Sequence, residues 1–266
     1  MLVDYICFST YQRKVLKLRK LKFFTPAQVG CFLDSIEKPY KIYTRGHRRV
    51  DDTGIQYEVG DYTLTRTMPE QLIVLFNLAV YSGLRKGELL ALQWSDIDFI
   101  NSTVSVTKAA TVVNGKQVCK APKTKTSRRE VSIPKFLTER LHNMMVEQTK
   151  TKEAMGACWK GSDWLFTQSD GSMMCYSTPY ATFQDAIDRY NIGKESSEQL
   201  PHIPFHGLRH TSATLLIAAH QDVRTVSNRL GHAQASTTMN IYAHALKEND
   251  HTASNALENM LCKTGA

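Results

Sequence analysis

Along most of this chain, apolar residues return every three or four positions; between about residues 103 and 133 they alternate instead. Thr25-Pro26-Ala27-Gln28 has Thr at an N-cap, Pro at the first helical position and Gln at the third, a capping box that predicts a helix start. Val29, Phe32, Leu33 and Ile36 continue it as an apolar stripe. Residues 72–81 are apolar almost all round, which predicts a buried central helix, closed by Gly83 in a left-handed cap. Strand patterns follow at 103–107, at 110–113 and 116–119 around the hairpin signal Asn114-Gly115, and at 131–133 before Pro134. Helical periodicity then returns at 135–147, 178–190, 207–219, 223–230, 236–245 and from Glu248 onward. Residues 38–69 are polar and rich in turn formers, and read as an inserted loop or hairpin. The expected fold class is α+β, mainly α, with a small three-stranded antiparallel sheet.

Composition sets the setting. The chain has 266 residues, 42% hydrophobic and 22% charged, enough to build a core and inconsistent with wholesale disorder. Lys and Arg total 33 against 25 Asp and Glu, a net charge of +8, which favours a polyanionic partner, nucleic acid ahead of an anionic membrane. Six of these cations, Arg13, Lys14, Lys17, Arg19, Lys20 and Lys22, crowd the first 22 residues. That segment reads as a solvated basic linker or a strap across a phosphate backbone. Six cysteines lie far apart without a C-x-x-C pair, as expected of free thiols in a reducing compartment. The longest apolar run, 72–80, is interrupted by Asn77 and is about half the length that spans a bilayer. With no signal peptide pattern, the expected location is cytoplasmic, away from the membrane.

Four polar constellations carry candidate chemistry. In Ser82-Gly83-Leu84-Arg85-Lys86-Gly87-Glu88 a glycine turn brings Arg85 to the mouth of a helix, where an anion is welcome; taken alone, Arg85 is an ordinary surface cation or the partner of Glu88. Five cations fall within residues 120–129, on a hairpin that is either a solvated face or a way to bring a lysine to a phosphate. His206-Gly207-Leu208-Arg209 sets an imidazole and a guanidinium three apart, on one helical face: the fork grips oxygens while the imidazole moves a proton. Finally, Gly231-His232 precedes Tyr242, and residues 222–238 also fit a helix-turn-helix DNA reader. Together these supply guanidiniums, lysine, imidazoles and a phenol, with no acidic cluster or thiolate set to hold a metal. Such a set suits metal-free transesterification of a phosphodiester.

The order Arg, Lys, His-x-x-Arg, Gly-His and Tyr, with His232 and Tyr242 ten residues apart, resembles the tyrosine recombinase family, or phage-type integrases, over about residues 21–261. The resemblance implies that Tyr242 is the nucleophile, forming a 3′-phosphotyrosyl bond and releasing a 5′-hydroxyl. It further implies that Arg85 and Arg209 clamp the nonbridging oxygens and that His232 donates to the same oxygens. Lys123 or Lys125 protonates the leaving oxygen and His206 assists proton transfer near the phenol. Glu88 braces the cluster, and His244 stands in support. Lys120, Arg128 and Arg129 are expected to hold DNA backbone. Neither metal, ATP nor any other cofactor is expected.

Domain by domain, residues 1–20 are expected to be a basic linker or remnant of a core-binding domain and 21–266 the catalytic domain, with 38–69 inserted. The stretch upstream is too short for the DNA-clamping domain such integrases usually carry. The 24 residues after Tyr242 fit a tail docked either on its own domain or on a neighbouring protomer, with Ala256, Leu257, Met260 and Leu261 as its stripe. Expected partners are double-stranded DNA, further copies of the chain in a tetramer on DNA, and an accessory directionality factor. The leading expectation is a site-specific recombinase of a mobile element. A dimer-resolving recombinase, a type IB topoisomerase-like enzyme and a non-catalytic helix-turn-helix regulator are the alternatives.

Overall fold

A computed structural model describes residues 23–121 and 128–231. The basic segment 1–20, Lys123, Lys125, His232, Tyr242, His244, the stripe Ala256 to Leu261 and the helices expected at 236–245 and from Glu248 all lie outside those residues. Helix α1 (Pro26–Glu37) opens on the expected capping box: Thr25 Oγ1 accepts from the Gln28 amide at 3.2 Å, and Gln28 Oε1 accepts from the Thr25 amide at 2.9 Å. Helix α2 (Glu70–Ser82) is the central one, buried at every position from Leu72 to Val80 and closed by Gly83 at φ +65°. It packs against α4 (Lys135–Met155) and α6 (His206–Ala218), while α5 (Thr178–Asn191) covers α1. Phe24, Phe32, Phe76, Phe183 and Phe205 join these layers through tilted and edge-to-face pairs, centroids 5.1–6.3 Å apart. Each such pair adds about 0.5–1.5 kcal/mol beyond its area burial. The Phe24 amide donates to Thr211 Oγ1 at 3.0 Å, so the start of the described chain is tied to α6. Helix α4 outruns the expected 135–147 because its polar final turns are good helix formers and Gln148 is held by Trp94 Nε1 at 2.6 Å.

The strands are short and antiparallel. The expected three-stranded sheet is present with different membership: β5 (Ile97–Asp98), β6 (Thr103–Val106) and β9 (Arg129–Ser132), with β6 in the middle. The Asn114-Gly115 hairpin, β7 (Ala109–Val113) and β8 (Lys116–Lys120), forms its own pair instead. It is laid on the short helix α3 (Lys86–Leu90), because Gly87 has no Cβ to keep the strand away. The insert is a hairpin: β1 (Tyr40–Thr44) pairs with β4 (Tyr62–Arg66) and β2 (His47–Val50) with β3 (Gln56–Val59). Both ladders keep one register across the break at Arg45-Gly46. Asp51 Oδ1 closes the tip by accepting from the Thr53 and Ile55 amides, each at 2.9 Å. Tyr43, Val50, Ile55 and Tyr57 are exposed along it.

Candidate active site

The site gathers where α2 ends, α3 and α6 begin and α7 (Val223–Leu230) stops. Gly83 accomplishes two things there. Its positive φ turns the chain, and its missing side chain leaves room for Leu230, whose Cδ2 would lie 2.7 Å from a Cβ. Arg85 follows in extended conformation as the N-cap residue of α3, and Glu88 Oε2 accepts from its amide at 2.8 Å. Across the turn Arg209, only 2% exposed on α6, donates through Nη1 to the Gly83 carbonyl at 2.8 Å and through Nη2 to the Leu230 carbonyl at 2.5 Å. Arg85 donates to Glu88 Oε1 at 2.8 Å and to the Gly231 carbonyl at 3.3 Å.

Glu88 is shared. Arg129 meets both its oxygens, Nη1 at 3.1 Å and Nη2 at 2.9 Å, the fork geometry that suits a guanidinium and a carboxylate. Burial opposes ionisation of Glu88, but the hydrogen bonds and charge of Arg129, aided by Arg85, outweigh it and hold the carboxyl below its usual range. Arg229 lies beside this pair and donates from Nη2 to the Tyr81 and Ser132 carbonyls at 2.7 and 2.8 Å. Burial, then the charge of Arg129, depresses its pKa. Among the described residues one carboxylate thus balances only part of the charge of Arg85, Arg129, Arg209 and Arg229. A surplus of positive potential remains, with Arg85 the most open to solvent of the pairs made to Glu88.

His206 is the first residue of α6, with its ring 4.7 Å from that of His210 and perpendicular to it. Burial, then Arg209 and Arg85, keep the His206 pKa below the ordinary histidine value. His210 is pushed down to about 4 by burial, then by His206 and Arg209. Both rings are therefore neutral near pH 7, and a neutral imidazole accepts a proton. Among the described residues no three His, Cys, Asp or Glu side chains converge to hold a metal ion.

Of the residues singled out in the sequence, the structure brings Arg85, Glu88, His206 and Arg209 together. Lys120 and Arg128 stay exposed, on either side of the undescribed segment 122–127. Arg129, expected to hold DNA backbone, is placed differently from these two. Its side chain is 7% exposed and turned inward onto Glu88, whose charge and two oxygens outcompete solvent for its fork. Alternation contains the signal: Val131 and Ile133 face the core, and two residues back on the same face is Arg129. The sequence patterns do not single out Lys86, His210 or Arg229. Lys86 sits over the Tyr176 ring, 3.9 Å from its centroid, and burial lowers its pKa.

Comparison with known proteins is consistent in kind. The chain is 32% identical over 202 residues to a XerC-like tyrosine recombinase of Caldanaerobacter subterraneus, covering 71% of this chain and 50% of that one. It is also 32% identical over 186 residues to the ICEBs1 integrase of Bacillus subtilis, covering 70% and 48%. The chain thus spans about half the length of these curated relatives. In three dimensions it is similar to the Tn1549 transposon integrase in complex with transposon right end DNA, with a TM-score of 0.66 at 21% identity over 90% of this chain and 67% of that one. Residues 61–249, which contain every motif position from Arg85 to Tyr242, match the phage integrase family, and the chain belongs to that family of tyrosine recombinases.

Proposed function

We propose that the chain is the catalytic part of a site-specific recombinase of a mobile element, which cuts and rejoins double-stranded DNA through a 3′-phosphotyrosyl bond. The single observation that carries this reading is the convergence of Arg85 and Arg209 on one turn, next to a neutral His206, in a chain whose family match runs through Tyr242. In the reaction the Tyr242 oxygen attacks phosphorus and gives up its proton, with His206 assisting its transfer. The P–O5′ bond breaks, and Lys123 or Lys125 supplies the proton to the departing oxygen. Arg85, Arg209 and His232 hold the nonbridging oxygens as their charge grows. Bond energy is kept in the phosphotyrosine, so religation needs no ATP. Glu88 braces Arg85, and His244 supports the tyrosine end. Lys120 and Arg128 hold backbone on either side. Residues 21–266 form the catalytic domain, and copies of the chain assemble as a tetramer on DNA, with a directionality factor as a further partner.

A nicked duplex spanning the ends of the element that encodes the chain provides the test. Wild-type protein is expected to form a denaturant-stable covalent adduct in EDTA, and Tyr242→Phe none. Specific binding without adduct would favour a helix-turn-helix regulator that reads DNA with residues 223–238.

A further inference from the structure

The last three carbonyls at the end of α7 each accept from a different guanidinium. Arg229 O takes Arg129 Nε at 2.7 Å, Leu230 O takes Arg209 Nη2 at 2.5 Å, and Gly231 O takes Arg85 Nη2 at 3.3 Å. A helix C-terminus is electronegative, so cations are welcome, yet one would satisfy the dipole. Two of the three, Arg85 and Arg209, are the arginines proposed to hold phosphate. The third is different. Arg129 is closed off from solvent by its fork on Glu88 and its bond to Arg229 O, so it does not present its charge to DNA.

Its contacts instead span three segments. From β9, Arg129 reaches Glu88 on α3, and Glu88 in turn fixes both the amide and the guanidinium of Arg85. By its Nε it also reaches the end of α7, one residue before Leu230, from which the chain runs through Gly231 to His232. Two parallel hydrogen bonds fix the plane of the Glu88 carboxylate, which a point charge cannot do, and that plane determines where Arg85 Nη1 sits.

We infer that Arg129 is a positioning residue for strand cleavage: it orients Arg85 through Glu88 and holds the end of α7 against them. This inference rests on the proposed recombinase reading. It concerns a residue that meets neither the phosphate nor the leaving group.

The test compares wild type, Arg129→Lys, Arg129→Met and Arg85→Ala on the nicked duplex described above. A second duplex has a neutral methylphosphonate at the scissile position. Melting and DNA affinity are measured alongside. Because a small misplacement of a clamping group costs about 100-fold in rate, Arg129→Lys is expected to slow adduct formation by about 100-fold on the phosphodiester at unchanged DNA affinity. On the methylphosphonate, which leaves less charge for Arg85 to hold, the deficit should shrink several-fold, as it should for Arg85→Ala. Should Arg129→Met fail to fold, Arg129→Lys carries the comparison. Equal slowing on both duplexes would mean a merely structural role, and wild-type rates on both no role; either overturns the inference. Loss of affinity with a shallower salt dependence would return Arg129 to the backbone contacts. If wild type itself forms no adduct, the recombinase reading falls and takes this inference with it, whereas a reactive wild type isolates the failure to Arg129.

Discussion

Arg129 and Arg209 show how burial changes the meaning of a charged residue. In a sequence an arginine defaults to solvent, so Arg129 is grouped with Lys120 and Arg128, and only the alternation it shares with Val131 and Ile133 points inward. The His206-x-x-Arg209 spacing, by contrast, is legible because both residues lie within the first turn of α6. His210 is not singled out because its lowered pKa comes first from burial, which the local spacing does not announce, with His206 and Arg209 adding to it. Its folded pKa of about 4 lies below the value near 6.5 of an unfolded chain, so the unfolded state binds more protons between those values. The stability it contributes is complete above about pH 6.5 and is lost as pH falls towards about 4. Glu88, whose pKa is also lowered, extends that loss further into acid. Melting temperature should therefore fall across this window, and His210→Gln should flatten the dependence; an unchanged slope would show that His210 does not titrate as described.

At the level of elements, what sequence discloses depends on whether local or distant contacts choose the structure. The capping box at Thr25, the left-handed cap at Gly83 and the Asn114-Gly115 turn, with φ of +49° and +74°, are local and were readable. Which strands pair is not local: β6 pairs with β9 across an intervening hairpin, and that hairpin leans on α3. Gly87 permits this contact, since a Cβ there would lie 2.3 Å from the Ala110 carbonyl oxygen. Gly87→Ala should force α3 off β7 and cost about 1–3 kcal/mol in denaturant unfolding. It should also displace Arg85 and slow cleavage. A variant with unaltered stability would show that the strand can retreat without cost.

For the molecule as a whole, the charge of +8 becomes two populations. Some cations, such as Lys120 and Arg128, face outward, while Arg129, Arg209 and most of Arg229 are spent on internal carbonyls and Glu88. The insert stands apart from both. Sequence leaves its form open between loop and hairpin because neither face alternates cleanly enough to announce a buried side, and the structure shows why: beyond its root, the hairpin buries almost nothing. Replacing residues 45–61 by Asn-Gly, which joins the paired Thr44 and Tyr62, should move stability by no more than about 0.5 kcal/mol, the range of surface changes. A larger loss in thermal unfolding would mean that the hairpin supports the core. The same isolation has a kinetic side. Backbone amides of β2 and β3 are paired in register but are sheltered by little beyond each other, and a two-stranded ribbon alone is marginal in water. In deuterated solvent these amides should take up label near the rate of an open chain, while those of α2 wait for global unfolding.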